Sequence, residues 1–319
     1  MSCLPVFVWF LVAASNGDGG GFGPGIATSP KGEPSAQIAN AHSESPRLTL
    51  GRSIVLGIVE GVTEYLPVSS TGHLILAQRA MGIENSGAAN AYAICIQFGA
   101  ICAVLGLYRR RVREMVWGVF GRGEPGRRTA WNLVAAFLPA AVFGLMFDKT
   151  IERHLFGLRP VVIAWFVGGV AILVVAWHRR GRSPHEGDAL EQLSWRGAVW
   201  IGLVQCLAMW PGTSRSLVTI VGGVMVGLSV PAAVEFSFLL GVVTLGAATG
   251  YKAHTHAPLM FETYGWANLL LGFLAATVSA VAAVKWMVSY LNRHGMAVFG
   301  YYRLVLAALV ATLLMTGAL

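Results

Sequence analysis

Two acidic residues in an apolar segment are the first groups in the chain that could do chemistry. Glu60 and Glu64 are four residues apart, so a helix places both on one face. Because two like charges are costly in apolar surroundings, we expect the carboxyl groups to share a proton or to bind a divalent cation. The structural alternative is a solvated helix end, but acids within apolar spans are usually functional.

The residues that follow add hydroxyl groups and an imidazole. Ser69, Ser70 and Thr71 could cradle phosphate oxygens at the start of the next helix, or could serve only as its N-caps. His73 is a candidate general acid or base, or a nucleophile, although taken alone it is equally a hydrogen-bonded core histidine. Together with the acids, this cluster predicts a site for phosphoryl chemistry.

A second polar interruption carries one arginine between hydroxyl residues. Arg215 has apolar sequence on both sides, which argues against a side chain that merely reaches the membrane surface. The planar guanidinium group donates to phosphate bidentately and keeps its charge. We therefore predict that Arg215 clamps a phosphate group. The hydroxyl residues predicted to help it are Ser214, Ser216 and Thr219.

The composition indicates what kind of element positions these motifs. Of 319 residues, 55% are hydrophobic and 12% charged, with a mean hydropathy of +0.63, whereas soluble domains carry about a quarter charged residues. The net charge of +8 could suggest nucleic acid, but the arginines gather in short segments beside apolar stretches, which reports membrane orientation. We expect an all-α integral membrane protein that binds no nucleic acid.

Six apolar stretches are long enough for transmembrane helices. The two motif-bearing segments, residues 51–81 and 197–228, are also apolar but are interrupted by polar, proline-containing sequence. Such a break is tolerated at membrane depth only inside protein or beside a watery cavity, so both predict re-entrant helical hairpins. The predicted spans are residues 90–108, 131–147, 158–177, 231–251, 265–284 and 296–317.

The two hairpin segments resemble each other. Residues 57–60 (GIVE) match residues 202–205 (GLVQ), and a proline and a Ser/Thr cluster follow each match. A hairpin followed by three spans makes one unit, and because three is odd, a second copy enters the membrane upside down. This predicts a single membrane domain, residues 49–317, built of inverted repeats at about 51–177 and 195–317.

Orientation follows from the arginine-rich loops, residues 109–128 and 178–196, which the positive-inside rule places in the cytoplasm. The loops 148–157 and 252–264 are then external. The first hairpin opens to the outside and the second to the cytoplasm.

Residues 1–48 differ from the rest, because an apolar run is followed by Gly-, Ser- and Pro-rich sequence. They predict a signal-like segment and a disordered linker. A cleaved signal, a short anchor and a start-site error all fit.

Read together, the motifs at residues 60–73 and 211–219 resemble those of the undecaprenyl-diphosphatase family, the bacitracin-resistance phosphatases that regenerate the lipid carrier of cell-wall synthesis. The resemblance covers about residues 48–317. It implies hydrolysis of undecaprenyl diphosphate to the monophosphate and inorganic phosphate at the bacterial cytoplasmic membrane, with the site open to the outer face. It also implies a divalent cation, magnesium or calcium, and suggests a homodimer.

The resemblance assigns roles residue by residue. Glu60 and Glu64 would hold the metal or manage protons, while Ser70 and His73 would lie next to the transferred phosphoryl group. A phosphoenzyme through Ser70 or His73 and direct attack by an activated water fit the sequence equally well. The groups that would grip the diphosphate are Ser214, Arg215 and Thr219.

Other functions remain as alternatives. The type-2 phosphatidic acid phosphatases need His and Asp where this chain has Val221 and Met225. A polyprenyl-phosphate transporter or flippase fits the same inverted-repeat architecture. A scaffold would leave Glu60, Glu64 and Arg215 without a reason for their desolvation cost.

Overall fold

The computed structural model describes residues 48–83, 87–155 and 157–317. The predicted signal-like segment and linker, residues 1–48, lie outside the described residues apart from Leu48. Side chains are described throughout these ranges except at residues 87, 88, 90, 91, 148–154 and 252–262.

Every regular element in the described part of the chain is helical, apart from one isolated bridge between Asp188 and Leu228. The prediction of an all-α protein is confirmed. The α-helices are α1 (Leu50–Thr63), α2 (Ser70–Ala80), α3 (Gly87–Leu107), α4 (Arg109–Val119), α5 (Glu124–Leu155), α6 (Leu158–His178), α7 (Trp195–Gln205), α8 (Arg215–Met225), α9 (Val230–His294) and α10 (Ala297–Met315).

The predicted transmembrane spans are confirmed in number. Among the described residues, five helical segments are long and apolar enough to cross a membrane. A sixth span is formed if residues 92–107 of α3 are counted with α4, which is bent from α3 by 80°. The other five are Glu124–Phe147, Leu158–His178, Val230–Tyr251, Thr263–His294 and Ala297–Met315.

Two predicted external loops are wrong in their secondary structure. α5 continues to Leu155 through most of the predicted loop 148–157, and the backbone of the predicted loop 252–264 is helical within α9. α9 is broken instead at Gly265, with φ 69° and ψ 160°. Loss of hydropathy marks where a helix leaves the apolar region, but helical hydrogen bonds continue through polar residues, so hydropathy alone cannot locate a helix end.

A pair of helices forms at each position where a re-entrant hairpin is predicted, α1 with α2 and α7 with α8. Ser69 is the N-cap of α2 and Ser214 is the N-cap of α8, with φ 74° and φ 76°. Within the described ranges these two are the non-glycine residues with positive φ. The same unfavourable backbone conformation at corresponding positions is expected for two copies of one unit, and such strain is typical of functional sites.

Close packing between helices also occurs at corresponding positions of the two hairpins. Gly57 of α1 lies against the backbone of Gly272 in α9, and its sequence counterpart Gly202 of α7 lies against Ala136 in α5. A Cβ at either glycine would collide with backbone atoms of the partner helix. Small residues at such crossings let helices approach closely in a membrane. The first helix of each hairpin is thus packed closely against one of the long apolar helices.

Candidate active site

The last turn of α1 carries the two predicted acids. Glu60 is 1% exposed and Glu64, the C-cap residue of α1, is 7% exposed. The spacing of four residues places both side chains on one face of the helix, as predicted. Two buried carboxyl groups at this separation share a proton or hold a cation between them, because both cannot stay ionised without compensation.

Arg215, the first residue of α8, brings the second hairpin to this pair. Its Nη2 donates to Glu64 Oε1 at 3.2 Å, and its Nη1 donates to the backbone carbonyl of Ser237 at 2.9 Å. The guanidinium carbon lies 5.4 Å from the ring centroid of Tyr65, a cation–π contact. The guanidinium group fits because Gly241 of α9 has no side chain, and a Cβ there would collide with it.

Ser70 completes this cluster from the start of α2. Its hydroxyl donates to Glu64 Oε2 at 2.5 Å, a short distance typical of a hydroxyl on a charged acceptor. The positive φ of Ser69 turns the chain sharply just before Ser70. Glu64 therefore accepts from a candidate nucleophile with one oxygen and from Arg215 with the other.

Three side chains of this cluster have buried polar atoms without a hydrogen-bond partner in the described residues: Glu60 Oε2, Tyr65 OH and Arg215 Nε. Buried polar atoms in proteins are normally satisfied, and each exception costs about 1–3 kcal/mol. An anionic ligand accompanied by a cation would satisfy all three atoms. The cation would bind the Glu60 oxygen, and the anion would accept from the two donors.

His73 lies one turn beyond Ser69 and has different partners. Its Nδ1 is 2.7 Å from the backbone carbonyl of Ser69, and its Nε2 is 2.7 Å from the phenol oxygen of Tyr302 in α10. The imidazole also packs on the ring of Trp165, with centroids 5.4 Å apart. Both ring nitrogens are thus engaged with protein groups, and the described contacts do not join His73 to the Glu64 cluster directly.

Four of the other predicted hydroxyl residues, Ser69, Ser214, Ser216 and Thr219, lie near the hairpin turns and are already hydrogen bonded within the protein. Ser216 donates to the carbonyl of Leu66 at 2.9 Å, and Thr219 lies 2.6 Å from the hydroxyl of Ser237. The N-cap hydroxyls accept from backbone N–H groups of α2 and α8, and the one candidate exposed to solvent is Thr71. Phosphate binding by Ser69, Thr71, Ser214, Ser216 and Thr219 stays a prediction.

Arg303 of α10 is the main functional candidate that the sequence analysis missed. It is fully buried, and its guanidinium group donates only to backbone carbonyls among the described contacts. The bonds to Pro67 at 3.3 Å and Gly212 at 2.9 Å join the turns of both hairpins. The bonds to Ala164 at 2.8 Å and Trp165 at 3.3 Å fix the same group to α6.

Signals for the missed residues were present in the sequence. An arginine in the middle of an apolar span, as Arg303 is, should itself be treated as functional. Tyr65 lies inside the first motif, between Glu64 and Pro67, so its position was also a signal. No local pattern marks Tyr302, because its contact with His73 joins residues that are 229 positions apart.

The donor set of the site fits a divalent cation that is bound together with substrate. Within the described part of the chain, no group of three or more His, Cys, Asp and Glu side chains is arranged to hold a metal. Glu60 and Glu64 supply two carboxyl groups, and Glu60 Oε2 has no partner. Magnesium in phosphoryl-transfer sites is commonly held by one or two carboxylates, with phosphate oxygens and water as the other ligands.

Sequence comparisons relate this architecture to known proteins. The family model described as bacitracin resistance protein BacA matches residues 53–309, a stretch that contains every predicted site residue. A protein of Sorangium cellulosum named undecaprenyl-diphosphatase is 44% identical over 259 residues, which are 81% of this chain and 84% of that protein. One of Rhodospirillum rubrum named undecaprenyl-diphosphatase 2 is 41% identical over 266 residues, which are 83% and 95% of the two chains.

Proposed function

The chain belongs to the bacitracin resistance protein BacA family, and on that premise we propose that it hydrolyses undecaprenyl diphosphate to undecaprenyl phosphate and inorganic phosphate. Relatives named undecaprenyl-diphosphatase align with four-fifths of the chain at 41 to 44% identity. The product is the lipid carrier of cell-wall synthesis, and its regeneration accounts for the link to bacitracin resistance.

One observation supports this reaction best: Glu64 is shared between Ser70 and Arg215. A carboxylate that accepts from a serine hydroxyl at 2.5 Å is arranged as a general base for a nucleophile. The same carboxylate orients an arginine whose Nε–H is buried and free to donate. A nucleophile, its base and a phosphate clamp are the components that phosphoryl transfer needs.

The geometry favours Ser70 over His73 as the attacking group. The Ser70 hydroxyl would attack the terminal phosphorus while Glu64 takes its proton, and the bond from that phosphorus to the bridging oxygen would break. Undecaprenyl phosphate leaves, and a phosphoserine remains. Water then attacks the phosphorus, and the bond to the Ser70 oxygen breaks as Glu64 returns a proton to that oxygen. The protons of the water leave with inorganic phosphate. His73 is less suited to attack because both of its ring nitrogens are engaged.

Arg215 and Tyr65 would bind the diphosphate in this scheme. The Arg215 guanidinium group is fixed by Glu64 and by the Ser237 carbonyl, so it is oriented before substrate enters. The open Nε–H and the unpartnered phenol of Tyr65 are donors for the phosphate oxygens. Donors that are fixed in advance stabilise the charge that develops in the transition state without reorganising.

A divalent cation is part of the proposal because of the charge balance. With both carboxyl groups ionised, Glu60 and Glu64 together outweigh the single charge of Arg215, so the site without a cation would repel a diphosphate. Magnesium or calcium bound by Glu60 and Glu64 would neutralise charge on the diphosphate. Glu60 would then act as a ligand rather than as an acid.

The membrane setting follows from the apolar helices and from the family. We place the protein in the bacterial cytoplasmic membrane with the site open to the outer face, since the arginine-rich segments are assigned to the cytoplasm. The prenyl chain would stay among the apolar helices while the diphosphate reaches the hairpin turns. The homodimer stays a prediction, and so does the absence of a nucleic-acid partner.

The test is release of inorganic phosphate from undecaprenyl diphosphate by the purified, detergent-solubilised protein, with and without a chelator. We expect release that the chelator abolishes and that Glu64→Gln and Arg215→Ala eliminate. A folded wild-type protein that releases no phosphate after metal is restored would contradict the proposal. Movement of fluorescent polyprenyl phosphate across proteoliposomes would then be measured to test the transporter.

A further inference from the structure

The Tyr302 hydroxyl group lies against the Nε2 nitrogen of the His73 imidazole. The phenol oxygen is 2.7 Å from Nε2, and the two rings are nearly parallel, with planes at 9° and centroids 5.8 Å apart, so they lie side by side rather than face to face. Trp165 packs against the imidazole as well, with centroids 5.4 Å apart. Two aromatic rings and two hydrogen bonds leave the His73 side chain one orientation.

The hydrogen-bond partners also determine where the imidazole carries its proton. The backbone carbonyl of Ser69 can only accept, so its 2.7 Å contact with His73 Nδ1 requires a hydrogen on Nδ1. In the neutral ring Nε2 is then an acceptor, and the Tyr302 hydroxyl must be the donor. The Ser69 carbonyl therefore selects the Nδ1–H tautomer, and Tyr302 completes the arrangement by donating to Nε2.

A phenol is suited to this position because it can reverse its role. A hydroxyl group donates to the neutral Nε2, and it can accept from Nε2–H after the imidazole has taken up a proton. The contact between His73 and Tyr302 can thus persist in both protonation states.

Arg303, the next residue in α10, fixes the position of Tyr302. Arg303 is tied to the turns of both hairpins through the carbonyls of Pro67 and Gly212. Because these bonds fix the position of α10 at the site, the side chain one residue earlier has a defined place beside α2. Helix α10 thereby becomes part of the active centre, although the sequence motifs lie elsewhere.

We propose that Tyr302 is a positioning residue: its hydroxyl group donates to Nε2 of His73 and so holds the imidazole in the orientation in which Nδ1–H bonds to the Ser69 carbonyl. This inference rests on the proposed function insofar as His73 takes part in moving protons during hydrolysis. Ser70 performs the attack, and Tyr302 acts only through His73.

The first test is a double-mutant cycle on phosphate release. Tyr302→Phe removes the hydroxyl group and keeps the ring, so we expect kcat to fall roughly tenfold with KM nearly unchanged. In a His73→Ala background the same substitution should have no further effect, because the contact is already lost. Tyr301→Phe is the matched control: it removes the neighbouring hydroxyl, which is 61% exposed on the same helix and has no described hydrogen bond.

A second measurement does not depend on activity. Diethyl pyrocarbonate modifies the free nitrogen of neutral imidazoles, so modification of His73, followed by mass spectrometry, should be several-fold faster in Tyr302→Phe than in wild type or Tyr301→Phe. The inference would be overturned if His73 were modified at equal rates in wild type and Tyr302→Phe. It would also be overturned if Tyr302→Phe lowered kcat equally in the presence and in the absence of His73. If wild type releases no phosphate, the proposed function fails while the modification rates still decide whether Tyr302 covers His73.

Discussion

Arg215 donates to Glu64 across 3.2 Å although 151 residues separate the two in sequence. Their side chains are 10% and 5% exposed, so the ion pair is buried where the two hairpins meet. Neither motif forms a complete site alone, because the base lies on one hairpin and the phosphate clamp on the other.

Removing one partner of the buried Arg215–Glu64 ion pair should destabilise the protein more than removing both charges. Arg215→Ala leaves the Glu64 carboxylate buried without a cation, which costs about 3 kcal/mol or more. Adding Glu64→Gln should restore part of the lost stability. Thermal unfolding in detergent measures this, and Arg110→Ala, which removes an exposed ion pair with Glu114, should change little. A double variant less stable than Arg215→Ala would contradict the pairing.

Gly241→Ala should impair catalysis by displacing the Arg215 guanidinium group. A Cβ at residue 241 would collide with its terminal atoms, and displacement of a catalytic group by about 1 Å can cost on the order of 10²-fold in rate. The control is Gly246→Ala on the same helix, where the added Cβ meets nothing within 4 Å. Phosphate-release kinetics compare the two, and equal activity would show that Arg215 needs no such space.

Arg303→Lys should destabilise the fold even though the charge is kept. A single ammonium group cannot reach the carbonyls of Pro67, Gly212, Ala164 and Trp165 together, so buried acceptors lose their donors. Each unsatisfied carbonyl costs about 1–3 kcal/mol. We expect a clearly lower unfolding midpoint, with activity reduced as well because both hairpin turns loosen. An unchanged midpoint would mean that the turns are held by other contacts.

Glu60→Gln should weaken the dependence of activity on the cation. Glu60 Oε2 has no protein partner, and the amide is a poorer ligand than the carboxylate. The magnesium concentration for half-maximal phosphate release should rise roughly tenfold or more, as expected when a metal ligand is lost. Titrating wild type and variant after chelation measures this, and identical titrations would remove Glu60 from the metal site.

A phosphoserine at residue 70 should be detectable if the Ser70 hydroxyl attacks. Acid quenching during turnover, followed by mass spectrometry of the peptide that contains Ser70, should show the phosphorylated form, and Ser70→Ala should eliminate both the modification and the activity. Retention of substantial activity by Ser70→Ala would instead favour direct attack by water. Phosphorylation of His73 would reverse the assignment of the nucleophile.

The sequence was a good guide where chemistry depends on local spacing. The interval from Glu60 to Glu64 placed both acids on one helical face, and the interrupted apolar segments predicted both hairpins before any tertiary contact was known. The same reasoning was wrong about helix ends, as at Leu155 and through residues 252–264. It also could not anticipate the positive φ of Ser69 and Ser214, because serine rarely adopts that conformation.

By itself, the sequence determined the membrane class, the helical spans, the two hairpins and most of the residue types available for phosphoryl chemistry, because hydropathy and helical periodicity are local properties of the chain. Only the tertiary structure decided which of those residues share a site. The contacts of Arg215 with Glu64, Tyr302 with His73 and Arg303 with both hairpin turns join positions far apart in sequence. Such contacts depend on how the helices pack, and packing is a property of the whole fold.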